Sequence, residues 1–318
     1  MGRRKVGFFE RIGYILEYII VVPLAKLLSL IPFAWIKGLS RFLGWIFFHV
    51  NTRDKKWAYM NLGIIYKDNP LSKEEQDKIV RQLYRNIVRF GLEYLKLGQI
   101  TAKNYQKFAR FDNFEAVMNT QATGKGGIVM TLHLGNWEYM GSVAAKIGCN
   151  LAVIINRQFN PYTDLWLKRL REKKGKVKCF YNEIADTKGL AKHLRGGGTI
   201  ALVADQTFYF QPIFVPFFGM PSATANGPAK LHTKFGSPIV MGHCYRDTDD
   251  KYVFKFEDPW TYTPTGDQEK DNAAIMTYIN SRYEEYIRKY PEQWFSLLHP
   301  RWEKTRPEDF ENIDFDPF

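Results

Sequence analysis

Between residues 127 and 256, short apolar runs bounded by glycine and polar residues alternate with segments of helical spacing, and this alternation restricts the chain to α/β layering. The strand candidates are 127–132, 151–155, 177–180, 199–204, 238–243 and 252–256. Helices are expected between them at 137–146, 162–174, 187–194 and 225–235, with a closing helix at 272–289. The triple glycine Gly196, Gly197, Gly198 precedes a strand and reads as a tight turn. Upstream, Ser72 and Glu75 form a capping-box pattern, and Ile79, Leu83, Ile87, Phe90, Tyr94 and Leu97 recur at helical spacing as far as Gly98. A further helical stretch is expected at 113–120. The expected class is α/β, with a mixed central sheet flanked by helices and ligands gathered at the carboxyl ends of strands. The tail at 307–318 has five acids and no bases, which predicts a solvated end.

The first fifty residues have a different character. Residues 12–36 are almost all apolar but are interrupted by Glu17, Pro23, Lys26 and Pro32, and a second apolar run covers 42–50. Neither reaches the roughly 18 uninterrupted apolar residues of a standard spanning helix. Over residues 1–56 the ten bases, among them Arg3, Arg4 and Lys5, outnumber three acids. An apolar surface with basic flanks suits an interfacial or kinked helix on the cytoplasmic leaflet, with a buried core hairpin as the alternative. Residues 1–50 are therefore expected to be a membrane-associating helical segment ahead of an α/β domain at 51–318. No small-residue cleavage site follows the apolar run, which argues against a signal peptide. Cys149, Cys179 and Cys244 are odd in number, widely spaced and in no zinc or redox pattern, as expected of a reducing, cytoplasm-facing location.

Composition narrows the partners. Across 318 residues, 45 bases against 33 acids give a net charge of +12, so phospholipid, nucleic acid or an acidic carrier are all suitable anions. No nucleic-acid reader motif is recognisable. The chain has no phosphate loop, dinucleotide glycine fingerprint, Gly-x-Ser-x-Gly elbow or zinc-spaced His and Cys set, so ATP hydrolysis, hydride transfer and serine-hydrolase chemistry lose support. No cofactor or metal is expected.

The segment Thr131, Leu132, His133, Leu134, Gly135, Asn136, Trp137, Glu138 carries the chemistry that remains. A strand ends near His133, Gly135 and Asn136 provide turn and cap, and Glu138 falls in the first turn of a helix. A neutral imidazole there can take the proton of an attacking hydroxyl while a carboxylate on its other nitrogen fixes the tautomer. Nearby helix amides could stabilise an oxyanion. A histidine beside a turn is more often structural, and geometry alone leaves both readings open.

The run HLGNWE resembles the His-x-x-x-x-Asp/Glu motif of the glycerolipid acyltransferase superfamily, and its flanks resemble the lipid A late acyltransferases, the lauroyl/myristoyl family of bacterial inner membranes. The resemblance runs from the apolar amino terminus to His299, Pro300, Arg301, Trp302, where the family shows a His-Arg-Arg-aromatic pattern. It implies His133 as general base and Glu138 as its partner. Asn156, Arg157, Asn160, Pro161, Asp164, Trp166 and Arg171 resemble the family block after the second strand. By that resemblance Arg157 and Arg171 bind phosphate, as guanidinium forks can. Asp205, with Gln206, resembles the family's acid at a strand's carboxyl end, where it can hold an arginine or orient an acceptor hydroxyl. Val215, Pro216, Phe217, Phe218, Gly219, Ala223 and Thr224 resemble an aromatic block that could line an acyl channel.

The implied reaction moves a fatty acyl chain from an acyl carrier protein or CoA thioester to a hydroxyl of a lipid A precursor, an anionic lipid, at the cytoplasmic face of the inner membrane. No Ser or Cys nucleophile sits in the motif, so no covalent acyl-enzyme is implied. The alternatives are an acyltransferase acting on a lysophospholipid or another glycolipid, and a non-enzymatic protein binding membrane or nucleic acid. An acidic carrier would suit the stretch at 168–178, where Lys168, Arg169, Arg171, Lys173, Lys174, Lys176 and Lys178 face only Glu172.

Overall fold

A computed structural model describes residues 7–306. The expected acidic tail and the bases Arg3, Arg4 and Lys5 lie outside the described residues. The core is a mixed seven-stranded sheet: β1 (Ala109–Asp112), β2 (Gly127–Thr131), β3 (Leu151–Ile155), β4 (Lys178–Tyr181), β5 (Thr199–Val203), β8 (Ile239–Arg246) and β9 (Tyr252–Phe256). Their spatial order is β1-β9-β8-β2-β5-β3-β4. Every pairing is parallel except β8 with β9, which is antiparallel. β2 is buried at all five positions, which is why it reads as an unbroken apolar run and not an alternating one.

The remaining strands, β6 (Ile213–Phe217) and β7 (Met220–Thr224), form a separate antiparallel hairpin. The block of residues that could line an acyl channel lies in this hairpin, with Val215, Phe217, Phe218, Ala223 and Thr224 buried. Its alternating burial places Val215 and Phe217 inside, where Phe217 stacks on Trp302 in the core. β1 also escaped the sequence reading, because four residues with two charges carry no period.

The helices between strands are α5 (Glu115–Ala122), α6 (Trp137–Lys146), α7 (Pro161–Arg169), α8 (Ile184–Arg195) and α9 (Gly227–Phe235). Leu170–Lys174 extends α7 in a wider, π-helical turn. The long helix α10 (Gln268–Lys289) buries Ile275, Ile279, Tyr283 and Ile287 in the core. Upstream are α3 (Thr52–Ile65) and α4 (Lys73–Tyr94), the latter started by the expected Ser72–Glu75 capping box. Helix α4 ends at Tyr94, four residues before Gly98, and the chain continues in tighter turns.

The amino-terminal segment forms two helices, α1 (Phe8–Leu28) and α2 (Phe33–Val50), broken at Ser29–Pro32. Pro23 lies inside α1 without ending it; the missing N–H removes one backbone bond from that turn. Helix α2 turns Ile36, Ser40, Gly44 and Phe48, spaced four apart, inward against α4. A Cβ on Gly44 would stand 2.7 Å from the Arg85 Cα, so only glycine permits this approach. Helix α1 buries only Val22 and Ala25, and most of its large apolar side chains are exposed. Among the described residues no helix is long and apolar enough to cross a membrane.

Candidate active site

β2 leads out of the sheet at its carboxyl end into the turn that carries His133. Gly135 has φ +60°, and a Cβ there would lie 2.3 Å from the Cys244 carbonyl oxygen. The turn therefore needs glycine for both conformation and space. Asn136 caps α6 by accepting from the Tyr139 N–H at 3.0 Å, and its amide donates to Glu93 Oε2 at 3.2 Å. Glu93 is buried and also accepts from Arg89, Arg246 and Tyr252. A buried ion network thus braces the turn from behind.

The carboxylate that meets the imidazole is Asp205, two residues past the end of β5. Its Oδ1 lies 2.7 Å from His133 Nδ1, and its Oδ2 accepts from the His133 N–H at 3.2 Å. Trp294 Nε1 and Ser296 Oγ donate to Oδ2 at 2.7 and 2.8 Å. Asp205 is fully buried. Burial alone would raise its pKa, but the His133 charge and the bonds from His133, Trp294 and Ser296 outweigh that and hold the carboxyl well below the usual range. An ionised carboxylate can only accept, so Nδ1 donates its proton to Asp205, and it is the neutral ring in this tautomer that offers a lone pair on Nε2. Among the described residues nothing bonds Nε2. The ring stands edge-on to Trp137, which stacks on Phe90 and meets Phe295, so an aromatic wall fixes its plane.

The expectation that Glu138 holds the other imidazole nitrogen is corrected by this geometry. Glu138 does sit in the first turn of α6, but its carboxylate is gripped by Arg171, with Nε and Nη2 at 2.9 and 2.6 Å from Oε1. A helix carries residue 138 away from residue 133 along the cavity wall, and the π-helical turn after α7 brings Arg171 to meet it. Burial would lower the Arg171 pKa, and the Glu138 charge beside it reverses this, so the guanidinium stays charged. Both side chains line the same cavity as His133.

That cavity has a volume of about 360 Å³. Its mouth is polar, with His133, Glu138, Asn156, Arg171 and Gln206. Its interior runs between sheet and helices past Val129, Met140, Ala144, Leu151, Val153 and Phe256. A site of this kind can deprotonate a hydroxyl at the mouth while holding a hydrocarbon chain inside.

The other expected positions serve the surrounding framework. Arg157 gives its fork to Glu183, at 2.5 and 3.0 Å, and lies over the Tyr181 ring. Asn160 and Pro161 start α7 as cap and first-turn residue, and buried Asp164 accepts from the Gln158 N–H and the Tyr181 hydroxyl. Arg301 is completely buried, donating to the Ala223 carbonyl and the Thr224 hydroxyl, and burial pulls its pKa down to about 10. It fastens the β7 hairpin strand to the segment that supplies Trp294 and Ser296. Sequence reading missed both of those residues and Glu93. Trp294 and Ser296 stand a few positions ahead of the His299–Trp302 motif, and that proximity was the only signal. Among the described residues no cluster of His, Cys, Asp and Glu could hold a metal ion.

In comparison with known proteins, the family described as bacterial lipid A biosynthesis acyltransferase matches residues 9–304. Phosphatidylinositol mannoside acyltransferase of Mycobacterium tuberculosis (strain ATCC 25618 / H37Rv) is 23% identical over 223 residues, covering 67% of each chain. The protein of the same name from Mycolicibacterium smegmatis (strain ATCC 700084 / mc(2)155) is 22% identical over 239 residues, covering 71% of this chain and 73% of its own.

Proposed function

The chain belongs to the bacterial lipid A biosynthesis acyltransferase family, an enzyme that transfers acyl groups, and on that premise we propose that it moves a fatty acyl chain from a thioester to a hydroxyl of a lipid A precursor. The observation that carries this reading is the Nδ1–Asp205 bond at the mouth of an apolar cavity, which leaves Nε2 as a base. Nε2 takes the acceptor's hydroxyl proton as the oxygen attacks the thioester carbonyl. The oxyanion forms near Arg171, the C–S bond breaks, and the imidazolium returns its proton to the departing sulfur. Asp205 stabilises the imidazolium between the two transfers. Glu138 acts by holding Arg171.

The acyl chain occupies the cavity interior. The acceptor's phosphate is bound at the mouth, by Arg171 and by Arg157 once Glu183 releases it. An acidic acyl carrier protein is the favoured donor, because α7, its π-helical turn and the start of β4 present Arg169, Lys173, Lys174, Lys176 and Lys178 on the surface; CoA is the alternative. The outward apolar face of α1 and the basic residues of α1 and α2 seat the enzyme on the cytoplasmic face of the inner membrane.

A second acceptor class has its own support, since the two relatives above are named for acylating a mannosylated phosphatidylinositol. Purified protein incubated with acyl carrier protein thioester and a tetra-acyl lipid A precursor, a mannosylated phosphatidylinositol or a lysophospholipid distinguishes them by product mass. We expect the lipid A precursor to gain one acyl group. Transfer only to another acceptor would overturn that substrate and leave the acyltransferase intact.

A further inference from the structure

Two of the most exposed aromatic side chains stand on loops that line the cavity. Phe159 is 97% exposed and Phe210 is 73% exposed. Each follows a cavity-lining residue closely: Gln158 precedes Phe159, and Phe208 lies two positions before Phe210. The two loops leave the carboxyl ends of β3 and β5, which are parallel neighbours in the sheet, so they emerge side by side. The loop after β2, which carries His133, is on the other side of β5 at the same end. Tyr209 and Phe214 extend the exposed aromatic surface beyond Phe210. Apolar surface concentrated at the entrance to a site marks a surface that another apolar body covers.

Continuity with α1 identifies that body. Asn160, next to Phe159, donates to the Tyr14 carbonyl at 2.9 Å, Thr163 donates to Glu17, and Tyr162 packs on Tyr18. Residues 14, 17 and 18 thus form the inner face of α1. Helical spacing then turns Ile12, Leu16, Ile19 and Ile20 outward, and all four are exposed. The outer face of α1 and the Phe159 rim are therefore joined through α7. Aromatic rings beside basic residues, here Arg11 reaching Tyr162, suit an anionic lipid headgroup layer.

We infer that Phe159 and Phe210 form an edge that inserts into the lipid leaflet, so that hydrocarbon chains pass between bilayer and cavity without entering water. This rests on the membrane seating of α1 proposed above and extends it to the catalytic mouth. A carrier protein on the 168–178 bases would then approach from beside the leaflet.

The native thiols allow a direct test. Cys149, Cys179 and Cys244 are all buried, and burial raises each thiol's pKa, so a maleimide dye marks only an introduced cysteine. Single variants Phe159→Cys, Phe210→Cys, Ile20→Cys and, on the exposed surface of α8, Lys188→Cys would carry an environment-sensitive dye. With vesicles of phosphatidylglycerol and phosphatidylethanolamine, we expect blue-shifted, brighter emission at 159, 210 and 20, with none at 188. A shift at 20 with none at 159 and 210 overturns the rim and leaves the seating of α1 standing. No shift at any position overturns both. A shift at 159 and 210 that grows with protein concentration in the absence of vesicles assigns the rim to a second copy and likewise overturns the inference. As a separate measurement, the double variant Phe159→Asp/Phe210→Asp should lose about tenfold in rate on acceptor embedded in vesicles, as expected when an apolar contact with lipid is replaced by charge. Its rate on detergent-dispersed acceptor should be unchanged. An equal loss on both would show that the aromatic pair acts inside the protein.

Discussion

Asp205 accepts four hydrogen bonds on two oxygens, and only one of them comes from the imidazole ring. Asp205→Asn would keep the shape but place an amide where an anion now selects the Nδ1–H tautomer. We expect the transfer rate to fall by about 10³-fold or more, comparable to His133→Ala, with the double variant little worse than either. Glu138→Gln should instead couple to Arg171→Lys, because those two side chains share a bidentate pair, and its loss should multiply with that of Asp205→Asn. Steady-state rates of the single and double variants decide this, and strong coupling of Glu138 to His133 would restore Glu138 as the imidazole's partner. If Arg157, released by Glu183, binds phosphate, lysine there should raise KM nearly as much as alanine, since a point charge lacks the fork. Elsewhere in the core, His243 is buried against the Tyr286 ring, at 3.9 Å, and Lys255, Lys289 and Arg282 lie around it. Burial first, then those cations, lower its pKa to about 3. The unfolded chain takes up that proton as pH falls below the ordinary value of 6.5, and the folded chain does not. Stability should therefore be full above that value and decline as pH falls toward 3, by on the order of 1 kcal/mol per pH unit. Urea midpoints of His243→Phe, measured across this range, should decline less steeply than those of the parent.

At the scale of elements, the turn between β2 and α6 is the most constrained piece of backbone. Gly135→Ala places a methyl against the Cys244 carbonyl in a left-handed conformation, and we expect a loss of about 1–3 kcal/mol or more together with most of the activity. Glu93→Gln leaves Arg89 and Arg246 facing a neutral group in a buried network and should cost about 3 kcal/mol in thermal or chemical unfolding. How much of this could be read in sequence depended on whether the signal was local. The strands at 151–155 and 252–256 lie where their apolar runs predict, and the α4 capping box is present, because period and cap chemistry are encoded within a few residues. The hairpin of β6 and β7 was not legible: its proline and aromatic residues carry no strand period, and only the pairing of the two strands reveals it. The α/β class and the position of His133 after β2 were legible for the same local reason. The choice of Asp205 over Glu138 was not, since residues 72 apart are brought together by β2 and β5 lying side by side, and no spacing rule encodes that adjacency.

Viewed as a whole molecule, the amino-terminal helices have two different attachments. Helix α2 belongs to the core through its contact with α4, whereas α1 rests on α7 through polar contacts and the Tyr18–Tyr162 ring pair and leaves its apolar face open. If α1 seats the protein on lipid as proposed, high salt should leave it on membranes and detergent should release it, since apolar burial would outweigh charge. Deleting residues 1–50 would also strip α2 from α4. Removing α1 alone is therefore the cleaner cut, and a sedimentation assay should show it loosened and still folded. Release of the intact protein by salt would make the attachment electrostatic. The donors from Trp294 and Ser296 have a further consequence, one of timing. A chain emerging from the ribosome lays down β2 and β5 long before it supplies the residues that complete the shell of Asp205, and the backbone bond from Phe295 to the His133 carbonyl also comes only then. A polypeptide interrupted before Trp294 would have its sheet and its histidine but an unfinished acid. Truncation before Trp294 should therefore abolish acyl transfer, because Asp205 would lose two of its four donors.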